Sequence, residues 1–315
     1  MSMKYTQITG TDLQVSVVGL GCNNFGMRCD ERSSAYVIAA AIDSGINFFD
    51  TADVYGGRGG SEEILGKAIA GLDRSSILLA TKFGNPMSDD GSMRGAGGKY
   101  ITQAVEASLV RLGTDYIDLY QQHIPDAGVP IDETLRALED LVQQGKVRYI
   151  GNSNFSGWQI ADADWTSKTG GSSRFVTAQN LYNLIDRRAE RDLIPACEKF
   201  GVDLLPYFPL ASGMLTGKYQ RGVEPQSGTR LAAFGERGKR AMSDDNFDKV
   251  ERLTSFAEDT GHTILDLAVS WLVCQPCVPS VIAGATSAEQ VRQNVAAASW
   301  KLSDDEMATV AALAR

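Results

Sequence analysis

The sequence is poor in the residues that build metal centres and disulfide frameworks. Its 315 residues hold two histidines, His123 and His262, and five cysteines, at 22, 29, 197, 274 and 277. Neither histidine has a Cys/His partner at zinc-site spacing, so no metal is expected. Five scattered cysteines in a chain this long are not a disulfide framework, which points to a reduced, cytoplasmic protein. Cys274 and Cys277 do make a CxxC, but the preceding Thr263–Val273 reads as a helix. The pair therefore falls at a helix C-terminal end, whereas a thioredoxin-type thiolate needs the N-terminal end. Positive charge is in deficit too. A net charge of −9 speaks against a nucleic-acid binder and against docking on anionic lipid. No apolar run approaches the roughly 18 residues of a membrane span. MSMKYTQITG has no charged segment leading into an apolar one, so no secretory signal is expected.

What the chain has is alternation. Short apolar or β-branched runs precede longer helical patterns throughout. Strands are predicted at Val15–Leu20, Ile46–Asp50, Ile77–Lys82, Ile117–Gln121, Val147–Gly151, Phe175–Gln179, Asp203–Tyr207 and Pro279–Ile282. Helices are predicted at Ser33–Ser44, Ser61–Ala70, Tyr100–Leu112, Ile131–Gln144, Ser156–Thr166, Arg187–Phe200 and His262–Leu272, with extra C-terminal helices at 287–298 and 303–314. In "IDETLRALEDLVQQG", Leu135, Leu138, Leu141 and Val142 share one face before Gly145 ends the helix. Such alternation predicts parallel strands with right-handed crossovers. Eight units in this length predict an α/β fold, a (β/α)8 TIM barrel, as one domain over residues 1–315. Met3–Ile8 and Leu13–Val18 form an expected N-terminal β-hairpin. The competing architecture is a doubly wound dinucleotide-binding sheet. Its GxGxxG is only partly matched by "GLGCNNFG", which has Asn24 where the third glycine belongs. Two polar stretches, Asn85–Lys99 and Lys218–Asp245, are expected as loops over the C-terminal face.

Barrel chemistry sits at strand C-terminal ends. There the sequence puts Asp50 in "INFFDTADVYG", with Tyr55 five residues on, then Lys82 after "ILLATK" and His123 after "IDLYQQ". A carboxylate, a phenol, an ammonium and an imidazole from adjacent strands form a plausible acid–base set. A tyrosine ionises near ~10, and a nearby lysine is expected to lower that value. A carboxylate would keep the lysine charged, and a histidine would hydrogen-bond a substrate oxygen. Each residue alone also has a structural reading: Asp50 as a turn or cap residue, Tyr55 as a packed ring, Lys82 as a surface cation, His123 as a core histidine. A Schiff-base role for Lys82 in a barrel aldolase or isomerase is a further alternative.

The ordered blocks "GINFFDTADVYG…SEEILGKAI" (45–69), "LLATKFG" (78–84), "DLYQQHIPD" (118–126), "ETLRALEDLVQQGKVRYIGNSNFS" (133–156), "PYFPLASGMLTGKY" (206–219) and "VIAGATSAEQVRQNVAA" (281–297) resemble the aldo-keto reductase superfamily from about residue 4 to 298. The resemblance implies NADPH-dependent reduction of small aldehydes and ketones. It puts the catalytic tetrad on Asp50, Tyr55, Lys82 and His123, with Tyr55 as general acid. It implies that Ser153, Asn154 and Gln179 hold the nicotinamide amide, with Tyr207 stacked on the ring, and that Cys22, Asn23 and Asp50 also contact the cofactor. Phe208, Pro209, Leu210, Ser212 and Gly213 would follow the pyrophosphate, beside Lys218 and Arg230. Gly284, Thr286, Gln290, Gln293 and Asn294 would meet the 2′-phosphate end. Gly284 and Gln290 stand where many members have a basic residue, which keeps NADH possible; Arg221, Arg230, Arg237 and Arg240 could supply that charge. Phe208 replaces a common serine. The "LTGKY" variety resembles bacterial, aflatoxin-aldehyde reductase and potassium-channel β-subunit members, so a cofactor-bound regulatory subunit with slow turnover is the alternative function. Monomer and homo-oligomer are both open.

Overall fold

The computed structural model describes residues 3–315. Strands β1 (Tyr5–Gln7) and β2 (Gln14–Ser16) pair antiparallel, with Tyr5 opposite Ser16. Eight parallel strands follow: β3 (Val18–Gly21), β4 (Phe48–Asp50), β5 (Leu78–Phe83), β6 (Ile117–Gln122), β7 (Val147–Ser153), β8 (Phe175–Leu181), β9 (Asp203–Tyr207) and β10 (Val281–Gly284). Their order is β10-β3-β4-β5-β6-β7-β8-β9. The Leu204 N–H donates to the Cys277 carbonyl at 2.7 Å, which brings β9 back towards the chain entering β10. The result is a nearly closed (β/α)8 barrel ringed by helices, with the hairpin in front of it.

A period of two decides which side chains fill the barrel. Phe48, Leu78, Ala80, Leu119, Leu205 and Ile282 form one buried cluster inside it, and Ile8, Leu13 and Val15 of the hairpin join them. The hairpin thus plugs the bottom. Intervening residues such as Phe49, Leu79 and Tyr120 pack outward against the helices. Two residues beyond each interior apolar position, the same alternation delivers Asp50 after Phe48, Lys82 after Ala80, and Gln121 then His123 after Leu119. The parallel register sets Lys82 opposite Gln121.

Most predicted elements form within a few residues of their expected bounds. Val15–Leu20 is not one strand. Its first half pairs with β1 and its second half with β10 and β4, and the chain changes sheets at Val17. The last barrel strand is displaced from Pro279–Ile282 to Val281–Gly284. Proline lacks the N–H a ladder needs, so pairing starts beyond Pro279. The predicted Arg187–Phe200 helix divides into a short turn, Arg188–Glu190, and a helix, Leu193–Phe200. Pro195 lies in that helix's first turn, where an N–H is not required. Lys218–Asp245 is not simply loop: it contains helices Arg230–Ala233 and Glu236–Ala241. A 16-residue helix, Asp244–Asp259, was not expected at all. It buries Phe247, Val250, Leu253 and Ala257 along one face, and Ser243 caps it through the Asn246 N–H. Cys274 caps the C-terminal end of helix Ile264–Val273, as the CxxC reading required.

Helix Tyr55–Ile69 meets the end of helix Gly98–Leu112 at Gly66. A Cβ on Gly66 would lie 2.6 Å from the Arg111 carbonyl oxygen and 2.7 Å from that of Leu112. Backbone cannot yield as a side-chain tip can. Gly66→Ala is therefore expected to destabilise the fold by about 1–3 kcal/mol despite alanine's better helix propensity. Denaturant unfolding of the variant checks this.

Candidate active site

Asp50 ends β4 with its side chain turned into the barrel. Its Oδ2 accepts from Lys82 Nζ at 2.7 Å. Its Oδ1 accepts from Gln179 Nε2 at 2.8 Å and from Gln121 Nε2 at 3.1 Å. Lys82 also donates to the Thr51 carbonyl at 2.8 Å and has no solvent exposure. Burial works against the ammonium, but Asp50 and then Tyr55 outweigh it, so Lys82 is held above its ordinary pKa.

Tyr55 starts the segment after β4 and is half-buried. Residues 56–59 have left-handed backbone before the regular helix begins. Gly56 is required there: its φ is +69°, and a Cβ would lie 2.5 Å from Ser61 N and 2.7 Å from Phe25 O. This tight reversal returns the phenol over Lys82, whose Nζ lies 5.2 Å from the ring centroid. His123 meets the same ring edge-on, with centroids 5.6 Å apart. The expected lowering of the Tyr55 pKa is not the net outcome. Burial pushes the phenol up; Lys82 pulls it down, but less, so it stays protonated through neutral pH. His123 moves the opposite way. Burial and then the Lys82 charge depress its pKa to about 3, so the imidazole is neutral. Its Nδ1 is buried with no partner.

These groups form the floor of a cleft of about 670 Å³ at the C-terminal end of the barrel. Tyr55, His123 and Asp50 line it; Lys82 lies beneath. Every residue expected near a cofactor lines it as well: Cys22, Asn23, Asp50, Ser153, Asn154, Gln179, Tyr207, Phe208, Pro209, Leu210, Ser212, Gly213, Lys218, Arg230, Gly284, Thr286, Gln290, Gln293 and Asn294. Ser153, Asn154 and Tyr207 form one chain of contacts. Ser153 Oγ donates to the Gln179 carbonyl at 2.7 Å, and Asn154 Nδ2 to the His123 carbonyl at 2.9 Å. The Tyr207 hydroxyl donates to Asn154 Oδ1 at 2.8 Å. After β9, Phe208, Ala211 and Ser212 all have positive φ, so the wall from Phe208 to Gly213 is a tight, irregular turn. Ser287 caps helix Ala288–Ala296 at the far end, and Gln290 folds back to accept from the Thr286 N–H at 2.9 Å.

The arginine loop divides. Arg221 is tied to Asp244, Asp248 and Glu251 at 2.8, 2.5 and 3.1 Å. Arg221 and Arg240 do not line the cleft; Arg230 and Arg237 do. Arg230 donates to Asn24 Oδ1 at 2.9 Å and lies over the Phe208 ring at 5.1 Å. Burial and then Arg28 lower its pKa. Arg28, which the sequence reading passed over, lines the same wall. Among the described residues, Arg28, Lys218, Arg230 and Arg237 have no carboxylate partner. Gln121 was also missed, although its spacing two residues before His123 aims it at the same interior.

The family model described as "Aldo/keto reductase family" matches residues 17–315. An uncharacterized oxidoreductase, YrpG, of Bacillus subtilis is 37% identical, covering 94% of this chain and 91% of its own. A probable voltage-gated potassium channel subunit beta of Arabidopsis thaliana is 36% identical over the same shares, 94% and 91%. Versiconal hemiacetal acetate reductase of Aspergillus parasiticus is 32% identical, covering 97% and 95%. Together with the barrel and its lined cleft, these matches show that the chain belongs to the aldo/keto reductase family and is an NAD(P)H-dependent oxidoreductase acting on small carbonyl compounds.

Proposed function

We propose that this chain, as one domain over residues 1–315, reduces aldehydes and ketones with NADPH, and that Tyr55 is the general acid. The observation that carries the reading is the stack at the cleft floor: a buried Asp50–Lys82 pair beneath a protonated phenol, with a neutral imidazole edge-on to it. The cleft volume falls in the range of cofactor sites. On a chain of net charge −9, four cations without carboxylate partners lining the cleft fit phosphate groups. Ser153, Asn154 and Gln179 offer both donors and acceptors, which suits a carboxamide.

When bound, the reduced nicotinamide supplies hydride to the carbonyl carbon. The neutral His123 can donate one N–H to the carbonyl oxygen and orient it. As negative charge develops on that oxygen, Tyr55 gives up its hydroxyl proton. The phenolate left behind faces the Lys82 ammonium, so the cation acts most strongly once the proton has moved. Asp50 moves no proton; with Gln121 and Gln179 it keeps Lys82 charged and in place.

Consumption of NADPH with 4-nitrobenzaldehyde or methylglyoxal tests the reading, and absence of turnover across a carbonyl panel counts against it. Arg230→Ala is expected to raise KM for NADPH by about tenfold, the scale of one charge-assisted hydrogen bond. Its effect on NADH should be smaller. Equal changes for both cofactors would remove Arg230 from the 2′-phosphate. Similarity to the plant channel subunit supports a second reading, a cofactor-holding regulatory subunit. It predicts reduction of bound substrate once per cofactor, with negligible steady-state turnover.

A further inference from the structure

A second polar cluster lies behind the tetrad, away from the cleft. Asp53 stands between Asp50 and Tyr55 in sequence, and its side chain is buried at 1% exposure. Its N–H donates to the Lys82 carbonyl at 3.1 Å, while Lys82 Nζ binds the Thr51 carbonyl. The turn leading to Tyr55 is thus tied to Lys82 at two points, Thr51 and Asp53 itself. The carboxyl group is poorly satisfied. Oδ2 accepts one long bond, 3.4 Å, from the Tyr100 hydroxyl, and Oδ1 has no partner.

The neighbouring charges do not balance. Glu62 is fully buried and accepts from Arg111 Nε at 2.7 Å and from Thr81 Oγ1 at 2.5 Å. The remaining bond of Arg111 goes to Ser108 Oγ at 3.2 Å. Tyr120, on β6, has a buried hydroxyl with no partner. Two buried carboxylates therefore share one guanidinium, and Glu62 has taken it. An ionised Asp53 would be a buried anion without a cation, an expensive state.

We propose that Asp53 is a positioning residue for Tyr55: as a neutral acid it keeps the 50–55 turn seated on Lys82, and its ionisation unseats that turn. Burial first, and then the Glu62 charge, raise the Asp53 pKa to about 7, while Arg111 and Tyr100 pull it back. The switch therefore falls near neutral pH. His123, the usual source of a neutral limb, is held neutral there.

The kinetic readout rests on the reductase reading; the stability readout does not. Wild-type kcat/KM for NADPH-dependent reduction is expected to fall as pH rises through about 7. Asp53→Asn, a permanently neutral isostere, should hold its acid-side rate, giving about tenfold more than wild type one pH unit above the midpoint. Tyr100→Phe removes a bond that favours the anion and should move the limb to higher pH. Without any substrate, denaturant unfolding reads the same group. A folded pKa above the unfolded one means that stability falls between the ordinary Asp value of 3.8 and about 7, and Asp53→Asn should flatten that decline. A wild-type profile with no limb near neutrality, or variants that keep both the wild-type limb and the wild-type stability slope, would overturn the proposal. If Asp53→Asn does not fold, the Tyr100→Phe shift decides. Loss of all turnover with the stability slope intact would refute the reductase reading and leave Asp53 as the titrating group.

Discussion

Tyr55→Phe is expected to lower kcat for carbonyl reduction by about 10²–10⁴-fold, the usual worth of a positioned general acid. The substitution removes one hydroxyl and little else. The ring keeps its edge contact with His123 at 5.6 Å and its place 5.2 Å from Lys82 Nζ. Binding of the reduced cofactor, followed by fluorescence, should therefore change little, and KM for the carbonyl should change far less than kcat. That split separates a lost proton donor from a lost binding contact. His123 cannot substitute, because a group depressed to about 3 gives a hydrogen bond at neutral pH but no proton. Undiminished turnover in the phenylalanine variant would remove Tyr55 as the acid. A parallel loss of cofactor binding would instead make the residue structural.

The sequence exposed the reactive groups because barrel geometry converts strand ends into a site. Asp50, Lys82 and His123 each end an apolar run, and period two turns them inward. Gln121 obeys the same parity and was overlooked because a glutamine carries no reactive signal by itself. The direction of the Tyr55 pKa was not legible. It depends on how deeply the phenol is buried, which no local pattern states, and burial outweighs Lys82. Asp53 was invisible for the same reason: in "DTADVYG" it looks like any turn aspartate, and only the fold encloses it with Glu62. The helix Asp244–Asp259 was lost among the polar residues around it, although Phe247, Val250 and Leu253 repeat every three residues. Arg221 and Arg230 look alike in the chain. That unread helix decides between them, since its acidic face supplies Asp244, Asp248 and Glu251 to Arg221. Ser153, Asn154 and Gln179 came from the family resemblance alone, because three polar residues on separate segments carry no joint pattern.

Asp50→Asn is expected to cost about 3–5 kcal/mol of folding stability, as removing one partner of a buried ion pair does. The side chains of Lys82 and Asp50 are 0% and 4% exposed, so water cannot replace the lost charge. All three partners of Asp50 are donors: Lys82 Nζ, Gln121 Nε2 and Gln179 Nε2. A carboxylate accepts from all of them. An asparagine offers one oxygen and turns an NH2 towards the remaining donors. Lys82→Met should cost less, because Asp50 keeps its two glutamine donors. The double variant should be less destabilised than the sum of the singles, since no unpaired buried charge remains. The sign of the pH dependence follows from the raised Lys82 pKa: the pair's contribution is complete below the ordinary lysine value of 10.5 and fades as pH rises through the folded value. Denaturant unfolding of the four proteins at neutral pH measures the cycle. Single variants within about 1 kcal/mol of wild type would mean that the pair is exposed or dispensable, because exposed pairs are worth no more than that. Kinetics then separates the roles. Asp50→Asn leaves the Tyr55 proton in place, yet burial of Lys82 loses its main opposing charge and favours the neutral form. A neutral lysine no longer stabilises the phenolate that proton transfer leaves. The rate should fall through Lys82, with no proton ever having passed through Asp50.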